Sequence, residues 1–162
     1  MQMITNKPAD WSYVIGPYKD PIASVKSGEI FKIETLDAFG NKVDSSTSDI
    51  TKLIQMPFVN PLTGPIYIEG AEKGDALAVT IISIETTRDY GVSAIIPEFG
   101  GLCATPLTRT LNEPLPPRVM IHPLEDNSVI FSEDLNIAPI PYEPFYGTIG
   151  TAPELEAISS LS

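Results

Sequence analysis

The sequence contains one cysteine and one histidine among its 162 residues. A lone cysteine excludes an internal disulfide, the usual stabiliser of small secreted domains. Zinc sites built from nitrogen and sulfur ligands need three or four such side chains, so this chain cannot build one unaided. No apolar run approaches the roughly 18 residues of a membrane span, and the N-terminus lacks the basic start and apolar segment of a secretory signal. We therefore expect a cytoplasmic protein.

Basic side chains are also scarce. Ten Lys and Arg side chains stand against 21 Asp and Glu, which gives a formal charge of −11. Such a surface repels polyanions, so we expect neither nucleic acid nor an anionic membrane as a partner. The sequence lacks the GxSxG, GxxxxGK, CxxC and HExxH motifs, which disfavours the enzyme classes that depend on them. A hydrophobic fraction of 43% is nevertheless enough for a folded core.

Sixteen prolines and 11 glycines interrupt the sequence too often for long helices. We predict a mainly β fold with little helix, arranged as one β-sandwich or jelly-roll domain over residues 1–162. The clearest alternation of apolar and polar residues lies at 29–36 and at 75–86, the latter predicted as the strongest strand, with a bulge. Other strands are predicted at 12–15, 65–69, 92–96, 118–122, 128–132 and 145–150, and helix only at 49–56 and 153–161.

Two stretches of the chain repeat one pattern. VKSGEIFKI (25–33) and EKGDALAVTI (72–81) each carry a lysine, a glycine, an acid and then alternating apolar positions. The pattern predicts a turn in which Gly28 or Gly74 takes a positive φ, followed by a strand that enters the core. Two copies are too few for a repeat protein.

An acid-rich block at 59–75, VNPLTGPIYIEGAEKGD, surrounds one short predicted strand. Its acids are Glu69, Glu72 and Asp75, and the common interpretation of such a cluster is a solvated rim of charge. The alternative interpretation gives Glu69 a chemical role. A carboxyl group directly after an apolar strand, partly desolvated, can be tuned for proton transfer or can hold a hard cation.

The pair Gly100 and Gly101 and the single histidine, His122, also allow both a structural and a functional interpretation. Gly100 and Gly101 end a predicted strand, where their backbone amides could approach a ligand closely, although a tight turn explains them as well. His122 follows an apolar pair and precedes Pro123. We expect it to cap a strand end rather than to act as a base, because an acid–base role requires suitable geometry first.

Four blocks of the sequence occur in order along the chain: NPLTGPIYIEGAEKGD, RDYGVSAIIPEFGGL, LNEPLPP and GTIGTAPELEAISSLS. Together they resemble the N-terminal half of the acetamidase/formamidase family, and the similarity covers most of residues 10–162. Each block alone is weak, but together they occur in order and at sensible spacing. The resemblance implies a β-sandwich and an enzyme that hydrolyses small linear amides, such as formamide or acetamide, to ammonia and a carboxylate.

The resemblance also implies roles for individual residues. The positions that match the family's motifs include Asn60, Thr63, Glu69, Gly100 and Gly101. Only Glu69 has a side chain suited to a general base or a metal ligand, so it is the implied catalytic residue, and the other four are implied substrate-binding residues. A divalent metal, zinc or calcium, is implied as a cofactor, with ligands other than Glu69 expected on a partner chain.

Family members continue beyond the ISSL segment into a Gly-Gly-Asn-Met-Asp stretch, and later into Asp-x-His and Gln-Gly-Asp-Gly-Glu segments that resemble a metal-binding and catalytic core. This sequence ends at Ser162. We therefore expect half of an amidase: a split subunit, a processed fragment or a truncated chain. A C-terminal partner chain would complete the core within an oligomer, and this chain alone would be inactive.

Two other classes of function stay open on the residues alone. One is a non-catalytic β-sandwich that binds a cation or small ligand through its acid-rich loops. The other is an assembly module whose apolar strands pair with a neighbouring chain. A ligand-binding module would be stabilised by its ligand without any partner.

Overall fold

The computed structural model describes residues 1–5, 7–100, 103, 115–132 and 135–160. The predicted mainly β fold is confirmed, because strands outnumber helices and helix in these described ranges is confined to a 3-10 turn and one short α-helix. The helix α1 is Ile50–Leu53, and the 3-10 turn is Pro8–Asp10. The strands are β1 Gln2–Ile4, β2 Trp11–Ser12, β3 Val14–Ile15, β4 Ala23–Lys26, β5 Phe31–Ile33, β6 Leu62–Thr63, β7 Ile66–Glu69, β8 Tyr90–Ile95, β9 Arg118–Glu125, β10 Ser128–Val129, β11 Ile140–Pro141 and β12 Ile158–Ser159.

The chain divides into two compact units. The first comprises residues 1–41, 56–82 and 146–162, and the second comprises 42–55 and 83–145. The sequence-based expectation of one β-sandwich domain over residues 1–162 stays a prediction.

The first unit is built from four two-stranded ladders. β1 pairs with β5 and β4 with β7, both in parallel, whereas β2–β6 and β3–β12 are antiparallel. Its described buried apolar side chains include Ile4, Val25, Val59 and Pro61. Two-stranded ladders are marginal by themselves, and parallel strands are usually covered on both faces.

The second unit contains one antiparallel sheet in the order β11–β10–β9–β8. β8 and β9 form its longest ladder, running from the pair Tyr90 and Pro123 to the pair Ile95 and Arg118. The described apolar side chains buried in this unit are Val43, Ile50, Ile54, Cys103 and Val119.

The helix α1 begins where the sequence predicts it, after Asp49. The carboxylate of Asp49 accepts a hydrogen bond from the backbone N–H of Thr51 at 3.2 Å, which satisfies one of the unpaired donors of the first turn. Lys52 lies 2.9 Å from the same carboxylate. Together with Thr51, Lys52 lowers the pKa of Asp49 to about 2 from its ordinary value of 3.8, and the hydrogen bond from Lys52 is the largest cause. Ile50 and Ile54, one turn apart, are buried and anchor the helix.

The predicted strands at 65–69, 92–96 and 118–122 are confirmed with shifted ends. Those at 29–36 and 128–132 are shorter than predicted, and the stretch 12–15 is divided between β2 and β3. The predictions at 75–86 and 145–150 are wrong, since these residues lie in no strand. Apolar alternation becomes a strand only where a partner supplies the ladder, and the described chain supplies none there. The helix predicted at 153–161 is also wrong over its described residues, because Ile158 and Ser159 pair with β3 instead. No helix in the described ranges is long and apolar enough to cross a membrane.

Candidate active site

Glu69 is the last residue of β7 and lies on the exposed face of the β4–β7 pair. Burial alternates along both strands, so that Ser24, Lys26, Tyr67 and Glu69 are exposed while Val25 is buried. The parallel register places Lys26 directly opposite Glu69. The hydroxyl of Ser24 donates to Glu69 Oε1 at 3.1 Å. This face therefore combines a carboxylate, a hydroxyl, an ammonium and a phenol, of which the sequence analysis found only the carboxylate.

A carboxylate held in this way can accept a proton from water or bind a hard cation. Ser24 fixes one carboxylate oxygen of Glu69, which restricts its rotation. Glu69 is exposed in the structure, whereas the sequence-based hypothesis assumed partial desolvation.

Asn60, predicted to bind substrate, joins three segments of the first unit. Its side-chain Nδ2 donates to the carbonyl oxygen of Ser160 at 3.1 Å, and its backbone N–H donates to the carbonyl of Ala38 at 2.8 Å. The backbone φ of Asn60 is +56°, a left-handed conformation that asparagine tolerates better than most residues. The hydroxyl of Ser160 returns the contact by donating to the carbonyl of Val59 at 3.0 Å.

Thr63, also predicted to bind substrate, lies in β6 and is half-buried. Its hydroxyl donates to the backbone carbonyl of Glu34 at 2.9 Å, and its backbone pairs with Trp11 of β2. The donor of the hydroxyl is therefore already used within the fold.

Gly100 belongs to the second unit, whereas Asn60, Thr63 and Glu69 belong to the first. Its φ is +118°, which L-residues rarely adopt, and a Cβ built there would lie 3.8 Å from Cys103 Sγ. The carbonyl of Gly100 accepts a hydrogen bond from the backbone N–H of Cys103 at 3.4 Å, as in a turn. Gly101, the remaining predicted substrate-binding residue, lies outside the described residues.

The described candidates thus enter separate hydrogen-bond networks. Glu69 contacts Ser24, Thr63 contacts the Glu34 backbone, and Asn60 contacts Ser160. Within the described ranges, no three His, Cys, Asp or Glu side chains are grouped so that they could hold a metal ion. These residues alone do not fit a divalent metal centre.

His122 lies inside β9 rather than at a strand end, so the prediction that it caps a strand is wrong. Its Nδ1 lies 3.0 Å from the carbonyl oxygen of Phe131, and its Nε2 lies 2.7 Å from Ser93 Oγ. A carbonyl oxygen only accepts, so Nδ1 carries a proton and donates to Phe131, and Nε2 shares a hydrogen bond with the Ser93 hydroxyl. The imidazole also stacks on the Phe131 ring at a centroid distance of 5.2 Å. Both ring nitrogens are therefore satisfied, as a buried histidine requires.

Comparison with known proteins connects this mainly β chain to a class of amide-hydrolysing enzymes. The sequence profile of the Acetamidase/Formamidase family matches residues 16–161. A formamidase from Methylophilus methylotrophus is 37% identical over 70 residues, covering 42% of this chain and 17% of that protein.

Solved structures agree over nearly the whole chain. The crystal structure of an acetamidase from Yersinia enterocolitica has a TM-score of 0.80 at 35% identity, covering 99% of this chain and 49% of that one. An acetamidase from Bacillus halodurans gives 0.73 at 29% identity, covering 97% of this chain and 48% of that one. The chain belongs to the acetamidase/formamidase family, and it spans about half the length of these two acetamidase structures.

Proposed function

We propose that this chain forms one half of an amidase that hydrolyses small linear amides, such as formamide or acetamide, to ammonia and a carboxylate. The observation that carries the proposal is the family match over residues 16–161. The remaining half, either continuous with this chain or a separate polypeptide in the cytoplasm, completes the active site.

Hydrolysis of an amide requires an activated water, donors for the tetrahedral oxyanion and a proton for the leaving amine. Glu69 is our candidate for the first role. Its carboxylate lies on an open face, and the Ser24 hydroxyl orients Oε1. As a general base, the carboxylate would take a proton from a water molecule while the oxygen of that water attacks the carbonyl carbon of the amide.

A primary amide presents N–H donors and one carbonyl acceptor. The Asn60 Oδ1 atom is our candidate acceptor for a substrate N–H group, because Nδ2 of the same side chain already donates to the Ser160 carbonyl. Thr63 stays a proposed substrate-binding residue, with its hydroxyl donor bonded to the Glu34 carbonyl. Backbone amides near Gly100 and Gly101 are our candidates for the oxyanion.

A divalent metal, zinc or calcium, is proposed only with the remaining half supplying most of its ligands. Glu69 could contribute one carboxylate oxygen. The other ligands would come from the remaining half, because the described residues hold no group of three metal-ligating side chains. No catalytic step assigned to this chain depends on that metal.

The test is ammonia release from formamide and acetamide. The chain would be assayed alone and after co-expression with the half of the Yersinia enterocolitica acetamidase that it does not match. We expect no turnover from the chain alone and turnover from the pair. Activity of the isolated chain would contradict the divided site. A stable but inactive pair would contradict the amidase proposal and favour a ligand-binding module.

A further inference from the structure

The two copies of the internal sequence pattern fold into the same turn. In the first copy, the backbone N–H of Glu29 donates to the Lys26 carbonyl at 3.0 Å, and the Glu29 carboxylate accepts from the Lys26 N–H at 2.9 Å. In the second copy, Asp75 and Glu72 make the same two bonds at 3.1 and 2.9 Å. The glycine before each acid has a positive φ, +79° at Gly28 and +98° at Gly74. The likeness predicted from sequence is therefore present in the backbone.

The strands that lead into the two turns are themselves neighbours. β4 ends at Lys26 and β7 ends at Glu69, and the two run side by side in parallel. Each strand is followed by its turn and then by an apolar alternating segment. The offset of 46 residues between Gly28 and Gly74 makes Leu77 the counterpart of Phe31, and Val79 the counterpart of Ile33.

The two segments after the turns differ in one respect, which is the presence of a partner strand. In the first copy, β5 pairs in parallel with β1, so that Phe31 faces Gln2 and Ile33 faces Ile4. Phe31 and Ile33 are half-buried in that arrangement.

The equivalent segment of the second copy lies in no strand of the described chain. Leu77 is 47% exposed, Val79 57% and Ile81 49%. These side chains alternate with Ala78 and Thr80, as in a strand with one apolar face. An apolar segment with strand alternation and unpaired backbone groups readily pairs with another chain.

We propose that residues 77–81 form a parallel β-strand with a strand from the half of the acetamidase fold that this chain does not cover. That strand would pair in parallel with residues 77–81, as β1 pairs with β5 in the first copy. The choice of occupant rests on the proposed function and on the lengths compared above, since this chain is almost wholly matched while 51% of the Yersinia structure is not. The apolar face of Leu77, Val79 and Ile81 requires a partner strand with apolar side chains on its matching face.

The experiment uses the whole chain co-expressed with the unmatched half of the Yersinia acetamidase. The Yersinia protein's own two halves serve as the positive control. Backbone amide hydrogen exchange is measured for residues 77–81 in the chain alone and in the pair. Val79→Lys places a charge on the proposed apolar face. Thr80→Lys is the matched control, because it makes the same charge change one residue along, on the other face.

We expect exchange of the 77–81 amides to slow at least tenfold in the pair. Val79→Lys should reduce recovery of the pair at least tenfold, and Thr80→Lys should leave it near wild type. Val79 is exposed, so the thermal midpoint of the isolated Val79→Lys chain should match wild type, which separates loss of docking from loss of folding.

Three results would overturn the docking proposal. The wild-type chain could fail to pair while the Yersinia halves succeed, or the pair could form with 77–81 still exchanging freely. The third is protection of 77–81 in the chain alone with a doubled mass, which would assign the surface to a second copy. A pair that is inactive but protects the 77–81 amides from exchange would contradict the amidase function and support the docking strand. A pair that is active but leaves these amides unprotected would support the amidase function and contradict the docking strand.

Discussion

Asn60 and Ser160, one hundred residues apart, are joined by a hydrogen bond from the Asn60 side chain to the Ser160 backbone. Asn60 Nδ2 donates to the Ser160 carbonyl at 3.1 Å, and the Ser160 hydroxyl donates to the carbonyl of Val59, the residue before Asn60. Ser160 and Val59 are both buried, so these bonds satisfy polar groups that water does not reach. Asn60 therefore supports the fold, whatever it later contributes to substrate binding.

Replacing Asn60 with alanine should destabilise the chain in the absence of any substrate. The substitution removes the bond to Ser160 and places alanine at a φ of +56°. Together these effects should lower the free energy of unfolding by about 1–3 kcal/mol, measured by chemical denaturation. Asn60→Gly keeps the backbone conformation accessible, so it should lose less. Equal stability of wild type and Asn60→Ala would show that the bond adds nothing.

Glu69→Gln separates the catalytic interpretation of this residue from the solvated-rim interpretation. The amide keeps the shape and can still accept from Ser24, so the isolated chain should keep its thermal midpoint. Turnover of the completed enzyme should fall at least about tenfold, because glutamine is neither a base nor an effective cation ligand. Glu72→Gln, an exposed acid three residues further on, is the control and should retain turnover. Equal ammonia release by the two variants would support the interpretation of Glu69 as part of a solvated rim of charge.

The elements that were predictable from sequence are those that local patterns determine. The turn at Gly28 and the start of α1 at Asp49 occur as predicted, and β5 lies within the predicted range 29–36. Each of these features depends on residues that are only a few positions apart in the sequence. The failures have a different origin. Residues 153–161 contain a short stretch that suits a helix, but Ser160 and its neighbours are drawn into contacts with Val59 and β3. Tertiary partners outweighed the weak local preference.

The candidate site was only partly predictable for the same reason. Glu69 stands out because its carboxyl group directly follows an apolar strand. Tyr67 shares its face by alternation within β7, but Ser24 and Lys26 join it only because β4 pairs with β7 in one register, across more than forty residues of sequence. A one-residue slip in that register would move Ser24 and Lys26 to the other face. Strand alternation indicated which side chains share a face within β7, but no local pattern identified its partner.

The shared turn makes a prediction about Gly28. A Cβ at this position would meet nothing within 4 Å, so the only obstacle to a side chain is the φ of +79°. Gly28→Ala should therefore lower the free energy of unfolding by about 1–2 kcal/mol, and Gly28→Asn should lower it less. Gly147→Ala is the matched control, because its surroundings are equally open and its φ lies outside the positive range. If Gly28→Ala and Gly147→Ala unfold at the same denaturant concentration, the turn does not need glycine.

Asp49 should make stability depend on pH in an acidic window. Lys52 and Thr51 hold its pKa at about 2, below the ordinary 3.8. A lowered pKa means that the folded state favours the carboxylate, so the stabilisation is complete above about pH 4 and is lost as the pH falls toward 2. The effect should be modest, because both side chains are exposed and water and salt screen the pair.

Asp49→Asn isolates this contribution, since asparagine also caps helices but does not titrate. The thermal midpoint of wild type should exceed that of Asp49→Asn at pH 6, and the difference should shrink between pH 4 and pH 2. Lys52→Gln should reduce the difference at pH 6, because the hydrogen bond from Lys52 is the main cause of the shift. Asp49→Ala, which removes the cap as well, should lower the midpoint by a few degrees at every pH. A gap between wild type and Asp49→Asn that stays constant down to pH 2 would contradict the role of the Asp49 charge.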